Sequence, residues 1–479
     1  MEEMIYTSSN ATVRGEAQQE ETNTMNEGTH KSLAANVERY KYLKAGIWCY
    51  FLLLIFEGAL RKWGIPALSA PLLVVRDPIA IWILFLAWKK DIVPFNIYSA
   101  GMVALAIIGI STTLIFGHGN LFVSLFGARI LILHFPLMFV IGSIFNKDDV
   151  IKIGKVLLWL SIPLVILTAL QFYSPQSAWV NRGIGGDTEG SGFSGAMGFF
   201  RPSGTFSFTT GNSMFFSLVA CFVLYFWVNR HNINKLLLFA STMAVLASIP
   251  LSISRSLFFS IVVAVIFTGI AISQKPQYFS RMLIAGICML VLLAMLSQTS
   301  FFQTAMEAFI ARFEDASSIE GGVASSLIER YFGGMISAVI NSNDLPFFGY
   351  GLGMGTNAGS ALLTGERSFL IAEGEWARLI GEMGFVLGIL VILLRLAFCF
   401  EISLRSYNSL KYDNLLPWIL LSFALITIPQ GQWAQPTALG FSTLIGGLVL
   451  GALNIKEKEE GLEEQTFWER PGSNGKGIT

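Results

Sequence analysis

Apolar residues dominate the chain in long runs that short polar segments separate. A helix needs about 20 consecutive apolar residues to cross the hydrocarbon core of a bilayer. We predict membrane helices at 43–60, 72–88, 97–116, 121–145, 151–170, 206–228, 236–253, 256–272, 282–297, 376–400, 415–428 and 437–453. The pattern predicts an all-α fold, a polytopic integral membrane helical bundle of about twelve transmembrane helices.

Composition supports the membrane class. Hydrophobic residues make up 53% of the 479 residues and charged residues 13%, and the mean hydropathy is +0.60. These values lie outside the usual range of soluble domains. Residues 1–35 are polar, so we expect no cleavable signal peptide. We therefore expect a disordered cytoplasmic tail at 1–40, a polytopic membrane domain at 41–455 and a second cytoplasmic tail at 456–479.

The cysteines exclude two kinds of site. Cys49, Cys221, Cys288 and Cys399 all fall inside predicted spans. Neither a disulfide framework nor a zinc site is expected from such positions. We expect neither a metal nor a cofactor.

Lysine positions predict the orientation of the chain. Cytoplasmic loops of membrane proteins are enriched in Lys and Arg. With the N-terminus inside, fourteen of the fifteen lysines fall on the cytoplasmic side, and only Lys62 falls outside. Both termini are then cytoplasmic. The two longest connections, 171–205 and 298–375, lie on the outer face, and the second is a large periplasmic loop.

The arginines do not follow the lysines. Ten map to outer loops or to the outer ends of spans: Arg61, Arg76, Arg129, Arg182, Arg201, Arg255, Arg312, Arg330, Arg367 and Arg378. Charges at membrane depth are costly and usually mark a functional cavity. The planar guanidinium stays protonated and binds phosphate through two parallel hydrogen bonds. This distribution indicates an anionic substrate presented from the outer leaflet.

A structural interpretation of the same arginines is that each reaches the headgroups or pairs with a nearby carboxylate. Arg76 lies beside Asp77, and Arg312 lies close to Glu314 and Asp315, so pairing and function remain equally open for these two. Arg201 and Arg255 have no adjacent carboxylate, and Arg330 has only Glu329. For Arg201, Arg255 and Arg330 the cost of burial favours function.

The large outer loop contains a predicted amphipathic helix at 326–341. Ile328, Tyr331, Met335 and Val339 share one face of it, and Arg330 lies on another. Such a helix can lie in the membrane interface. An ordinary surface helix packed on the bundle fits the spacing equally well.

A glycine-rich turn follows this helix in "DLPFFGYGLGMG", residues 344–355. Pro346 ends the helix, and Gly349, Gly351 and Gly353 permit positive φ and close approach of the backbone to a ligand. The spacing matches neither the dinucleotide fingerprint nor a Walker loop, and no strand precedes it. We expect the turn to form a hinge and a backbone cradle for a substrate.

Charged residues mark the start of the next membrane helix. Glu375, Arg378 and Glu382 are spaced to share one helical face, and Glu373 lies just before them. One interpretation is a mutually neutralised stripe of ion pairs, which we favour for Glu382. The other is a carboxylate held against arginines and able to accept a proton, and for Glu373 both interpretations remain open.

Three segments, in order, resemble a known family. They are "SISRS" at 252–256, "ERYFGGMISAVINSNDLPFFGYGLGMG" at 329–355 and "EGEWARLIGEMGFVLG" at 373–388. They resemble the O-antigen ligase and O-antigen polymerase family of bacterial envelope biogenesis. Its members carry a Ser-Arg-Ser/Gly element, an Arg-containing helix ending in Pro-x-x-Gly-x-Gly-x-Gly, and a helix that begins near a His-Asn pair and continues to Glu-x-Gly. The resemblance covers 200–395.

The resemblance implies a metal-independent, inverting glycosyltransferase of the bacterial cytoplasmic (inner) membrane. Its donor would be an undecaprenyl-diphosphate-linked oligosaccharide and its acceptor a glycan. Arg255, Arg330 and Glu373 would be catalytic, with Glu373 in the position of the ligase His. That departure favours a polymerase or an exopolysaccharide-specific relative over ligation to lipid A-core. The expected substrate-binding residues are Arg201, Arg378, Arg129, Arg76, Glu375, Gly349, Gly351 and Gly353.

The chemistry of the outer face agrees with this implication. No ATP or nucleotide sugar is present there, so the energy must come from the lipid diphosphate bond. Arginines would stabilise the departing diphosphate, and a carboxylate would act as general base. Expected partners are membrane lipids, a polysaccharide flippase and a chain-length regulator, and no nucleic acid.

A lipid-linked polysaccharide transporter or flippase is the alternative function. Membrane proteins with intramembrane charges are commonly transporters, and many of these consist of two matching halves. No such internal repeat is visible in the sequence. The long outer loop with clustered Arg and Glu favours chemistry at the outer face.

Overall fold

The structure is a computed structural model. It describes residues 40–229, 233–320, 333–340, 345–365, 370–372 and 374–454, and for 315–320 it describes the backbone only. The α-helices are α1 (Tyr40–Gly64), α2 (Arg76–Lys89), α3 (Ile97–Phe116), α4 (Leu121–Ile144), α5 (Lys147–Tyr173), α6 (Thr209–Val228), α7 (Lys235–Leu251), α8 (Arg255–Ser273), α9 (Phe279–Ser297), α10 (Ser300–Glu320), α11 (Gly334–Ile340), α12 (Asn357–Thr364), α13 (Glu375–Ser409), α14 (Leu416–Thr427) and α15 (Pro436–Leu453). Two short strands of two residues each, β1 (Phe193–Ser194) and β2 (Phe200–Arg201), pair as an antiparallel hairpin.

The all-helical membrane class is confirmed. Each predicted apolar run coincides with one of these helices. In the part of the chain that the structure describes, 10 helices are long and apolar enough to cross a membrane. The runs at 236–253 and 415–428 form the shorter helices α7 and α14, of 17 and 12 residues. The count of twelve spans therefore remains a prediction.

Helices α6 and α15 form the centre of the bundle. In each of them 89% of the most apolar window is buried, against 11% in α9 at the periphery. Small residues let α15 approach α4 closely: a Cβ at Gly142 would meet Leu450, and one at Gly446 would meet Met138. Close approach through small residues is how membrane helices gain packing energy.

Contacts between loops sort them into two ends of the bundle. At one end Lys44 Nζ lies 2.5 Å from Asp149 Oδ2, and the Tyr278 hydroxyl donates to Asp413. At the other end Trp63 Nε1 donates to the Trp179 carbonyl. We call this second end, with the loops 65–75, 174–208 and 428–435, the outer end. The grouping matches the predicted alternation of loops, and the side of the membrane that each end faces remains a prediction.

The structure describes only part of the predicted large outer loop. Of the predicted amphipathic helix 326–341, the structure describes 333–340, which contain α11. Arg330 and Glu373 both lie outside the described residues.

The glycine-rich turn packs against three helices. Gly384 (φ 77°) interrupts α13, which frees carbonyl groups from their intrahelical partners. The turn satisfies them, because Tyr350 N–H donates to the Gly381 carbonyl (2.8 Å) and Gly351 N–H to the Glu382 carbonyl (3.0 Å).

Helices α3 and α4 cover the other side of the turn. Leu352 N–H donates to Thr113 Oγ1 at 2.8 Å, and a Cβ at Gly353 would lie 2.1 Å from the Val123 carbonyl oxygen. Close backbone packing therefore requires the glycines. The glycines thus have a packing role, and their part in a substrate cradle stays a prediction.

Candidate functional site

A cavity of about 1280 Å3 opens at the outer end of the bundle. Its wall combines apolar side chains with four charged ones: Glu57, Arg61, Arg201 and Arg255. The charged groups come from α1, β2 and α8, which are far apart in sequence. This is the candidate functional site.

Arg255 reaches the cavity from the first residue of α8. Ser254 caps that helix, accepting from Leu257 N–H at 3.3 Å, and the Ser213 hydroxyl donates to Ser254 Oγ at 2.8 Å. "SISRS" is thus the turn between α7 and α8, and it fixes the arginine at a helix N-terminus. A helix N-terminus and a guanidinium at one place favour an anion.

Arg201 enters from the opposite loop. It lies on β2 and pairs in register with Phe193 of β1. Phe193 and Phe208 pack with ring centroids 4.4 Å apart, and both line the cavity. The hairpin therefore places one cation beside an aromatic surface.

Arg61 is a site residue that the sequence analysis did not assign to the site. It lies in the π-helical last turn of α1, Leu60–Gly64, and π-helical turns are frequent at functional sites. Arg61 donates to Ser207 Oγ (2.8 Å), to the Ser69 carbonyl (2.8 Å) and to Glu57 Oε1 (3.3 Å). The Glu57–Arg61 spacing of four residues was the signal that could have identified the pair.

Lys62 does not line the cavity. Its buried Nζ donates to Ser203 Oγ at 2.5 Å and to the Gly204 carbonyl at 3.2 Å. It anchors the loop that carries Ser207, so it supports the site from behind.

Arg76 is an ion-pair residue, and its partner is not the adjacent Asp77. Arg76 Nε lies 3.2 Å from Glu57 Oε2, and Arg76 Nη2 donates to the Pro436 carbonyl at 2.5 Å. The side chain is buried and does not line the cavity. Arg76 thus joins α1, α2 and α15, and its contact with a substrate stays a prediction.

Arg129 also belongs to a buried pair. Its Nη1 lies 2.6 Å from Asp77 Oδ2, and Asp77 Oδ1 lies 3.0 Å from His134 Nε2. Arg129 is absent from the cavity wall. Asp77 takes up this guanidinium because α2 packs against α4, and the expected contact of Arg129 with substrate is not supported.

The Glu375, Arg378 and Glu382 stripe is a buried ion-pair network. Arg378 lies 2.8 Å from Glu375 and 2.6 Å from Glu382, and Arg395 lies 2.8 Å from Glu375. All four side chains are at most 3% exposed. The structural interpretation of the stripe is confirmed, and the expected substrate contacts of Arg378 and Glu375 are not found at the cavity.

The glycine turn reaches the cavity only indirectly. Gly349, Gly351 and Gly353 are not in the wall, whereas Asn357 and Leu362 of the following helix α12 are. The turn therefore places α12 at the cavity. Gly374 also lines the cavity, and it directly follows Glu373 in the sequence.

Uncharged polar side chains complete the wall. Gln430, Gln432 and Gln435 come from the connection between α14 and α15. The sequence analysis did not identify them. Three glutamines within six residues, between two apolar runs, were the available signal.

Comparisons with known proteins give no independent assignment. No protein-family model matches the chain, and no curated protein matches it. Among the described residues, no group of three or more His, Cys, Asp and Glu side chains is arranged to hold a metal ion. The case for a function rests on the cavity and on the motifs in the sequence.

Proposed function

We propose that the protein is a membrane glycosyltransferase that polymerises or ligates undecaprenyl-diphosphate-linked glycans. The reaction would take place at the outer face of the bacterial cytoplasmic membrane, in O-antigen or exopolysaccharide biosynthesis. One observation carries the proposal: Arg61, Arg201 and Arg255 share a single large cavity at the outer end. Convergent arginines are the usual means of binding phosphate groups.

The size of the cavity suits an oligomeric substrate. Pockets for small molecules enclose about 300–1,000 Å3, and this one encloses about 1280 Å3. Its apolar side chains, among them Phe126, Phe259 and Phe313, offer surface to the prenyl chain. A diphosphate bearing several sugars fits both the volume and the mixed character of the wall.

The proposed reaction is a direct displacement at the anomeric carbon. The acceptor hydroxyl forms a new C–O bond, the bond from that carbon to the diphosphate oxygen breaks, and the hydroxyl proton passes to a carboxylate base. Charge grows on the departing diphosphate, where Arg255 and Arg201 stabilise it. Arg330 joins them in this proposal on the motif alone.

The base is proposed to be Glu373. Its sequence neighbour Gly374 lies in the cavity wall. Glu57 is less suited to accept a proton, because its two oxygens already accept from Arg61 and Arg76.

Replacing Arg255 by Lys tests the proposal. A lysine keeps the charge but cannot make the two parallel hydrogen bonds of a guanidinium. We therefore expect sugar transfer to fall about 10²–10³-fold, as on removal of one oxyanion-hole donor. The assay uses purified protein in vesicles with lipid-linked glycan, and it measures chain-length growth.

Arg405→Lys is the matched control, because Arg405 pairs with Glu401 on the exposed surface of α13. It should retain full transfer. Equal activity of the Arg255 and Arg405 variants would contradict the proposal. Movement of the lipid between leaflets without chain growth would instead identify a flippase.

A further inference from the structure

Residues 429–436, "PQGQWAQP", form a distinct part of the cavity wall that we call the glutamine segment. Gln430, Gln432 and Gln435 line the cavity and are half-buried. Gln435 Nε2 donates to Gln432 Oε1 at 2.7 Å, so these two amides hold each other in place. The segment contains no charged residue.

The segment follows a helix that is too short to cross a bilayer core. Helix α14 has 12 residues, a length of about 18 Å, which is well short of the roughly 30 Å of a bilayer core. The chain therefore leaves the helical conformation after fewer residues than such a core requires. Non-helical backbone inside a membrane is tolerated where it lines a cavity or is buried in protein, and here it does line a cavity.

Side chains from other helices fix the backbone of the segment at three points. Trp376 Nε1 donates to the Pro429 carbonyl (3.0 Å), Glu375 Oε2 accepts from Trp433 N–H (3.0 Å), and Arg76 Nη2 donates to the Pro436 carbonyl (2.5 Å). The Arg395 guanidinium lies 3.9 Å from the centre of the Trp433 ring. The amides are thus presented from a preorganised backbone, as precise binding requires.

The glutamine segment adjoins the cationic part of the wall. Arg76 bonds the Pro436 carbonyl and Glu57, and Glu57 in turn pairs with Arg61. This chain of contacts connects the end of the segment to Arg61 through a single arginine and a single carboxylate. A ligand whose anionic group lies at Arg61 therefore has its adjoining neutral part next to the glutamines.

Primary amides suit one class of neutral group. Each glutamine amide offers two donors and an acceptor, which matches hydroxyl groups that both donate and accept. We infer that the glutamine segment binds the sugar hydroxyls of the lipid-linked glycan, next to its diphosphate, and thereby selects the glycan. This inference rests on the proposed function and assigns one part of the same cavity to sugar recognition.

Binding of two lipids to the full-length protein in nanodiscs tests the inference. One probe is sugar-free undecaprenyl diphosphate. The other is the diphosphate-linked glycan lipid extracted from host cells that lack this chain. Gln430→Leu and Gln435→Leu keep side-chain size and remove the amide, so we expect at least a tenfold loss of affinity for the glycan lipid. Affinity for the sugar-free lipid should stay within twofold.

Two further variants make the result specific. Gln274→Leu changes an exposed glutamine beyond the C-terminus of α8, away from the cavity, and should bind both lipids as the wild type does. Gln430→Asn keeps the polarity of the wall but withdraws the amide by one methylene, and a smaller selective loss is expected. If the Leu variants do not fold, Gln430→Asn tests the inference in their place.

The outcomes separate the inference from the proposed function. If the wild type binds both lipids and the Gln430 and Gln435 variants bind the glycan lipid equally well, the inference is overturned and the proposed function stands. If the wild type binds neither lipid, the proposed function fails, and the inference fails with it.

Discussion

Individual arginines at the outer end serve two different purposes. Three are held in buried ion pairs away from the cavity: Arg76, Arg129 and Arg378. Three line the cavity: Arg61, Arg201 and Arg255. A buried guanidinium loses its hydration and needs a carboxylate to compensate, whereas one at a cavity wall can also bind an anionic ligand. The same residue type therefore stabilises the bundle at some positions and forms the site at others.

We expect the carboxylates of Glu375 and Glu373 to differ in the same way, the first stabilising the bundle and the second taking part in transfer. Glu375→Gln leaves Arg378 and Arg395 buried without their shared partner, and removal of one member of such a network costs about 3–5 kcal/mol of the free energy of unfolding. Glu373→Gln should leave the unfolding temperature unchanged and reduce sugar transfer while the donor still binds. Thermal unfolding in detergent and a purified transfer assay measure the two effects.

Glu401→Gln is the control for stability. Its partner Arg405 is 41% exposed, so the loss should be about 0–1 kcal/mol. A Glu375→Gln variant that keeps wild-type stability but loses transfer would contradict the structural role of that carboxylate. Normal transfer in Glu373→Gln would remove Glu373 as the base.

Among the elements, the glycine-rich turn positions part of the cavity wall through packing. The turn occupies the space that the interruption of α13 at Gly384 opens. It then leads directly into α12, whose residues Asn357 and Leu362 line the cavity. Displacement of the turn would therefore move the cavity wall.

Gly353→Ala tests this role. The new Cβ would meet the Val123 carbonyl oxygen, at a φ of 90°, and overpacking of this kind costs about 1–3 kcal/mol beyond the cost of the positive φ. Gly365→Ala is the matched control, since Gly365 has a φ of 80° and nothing within 4 Å of its would-be Cβ.

The unfolding temperature should fall further for Gly353→Ala than for Gly365→Ala, and only the former should impair transfer. Equal losses would mean that the close contact with α4 is unimportant and that only the backbone conformation matters.

On the scale of the whole molecule, the loops fall into two groups at opposite ends, and only their sidedness remains to be measured. Thr188 is exposed in the loop 174–208 at the outer end. Gln274 is exposed just beyond the C-terminus of α8. Because the N-terminus of α8 lines the cavity at the outer end, Gln274 lies towards the opposite end. In a background without Cys49, Cys221, Cys288 and Cys399, we introduce single cysteines at these two positions.

A membrane-impermeant thiol reagent applied to intact cells should label Thr188→Cys and should label Gln274→Cys only after lysis. The lysine distribution supports this orientation. The reverse labelling pattern would place the cavity on the cytoplasmic side and would contradict a reaction at the outer face.

The sequence by itself determined the helices, because membrane insertion depends on the apolarity of about 20 consecutive residues, which is a local property. It also located the turn around Arg255, which falls between the predicted spans 236–253 and 256–272. It could not determine the partners of the arginines, because Glu57 pairs with Arg76 across 19 positions and Asp77 with Arg129 across 52.

Only the tertiary structure decided which carboxylate pairs with which arginine and which arginines line the cavity. Helix packing brings α2 against α4 and places the glutamine segment beside Arg76. Such neighbours depend on how every helix packs at once, through close contacts at positions such as Gly142 and Gly446. The position of a charged residue in an apolar run shows that its burial is costly. Which oppositely charged group compensates that cost depends on the fold.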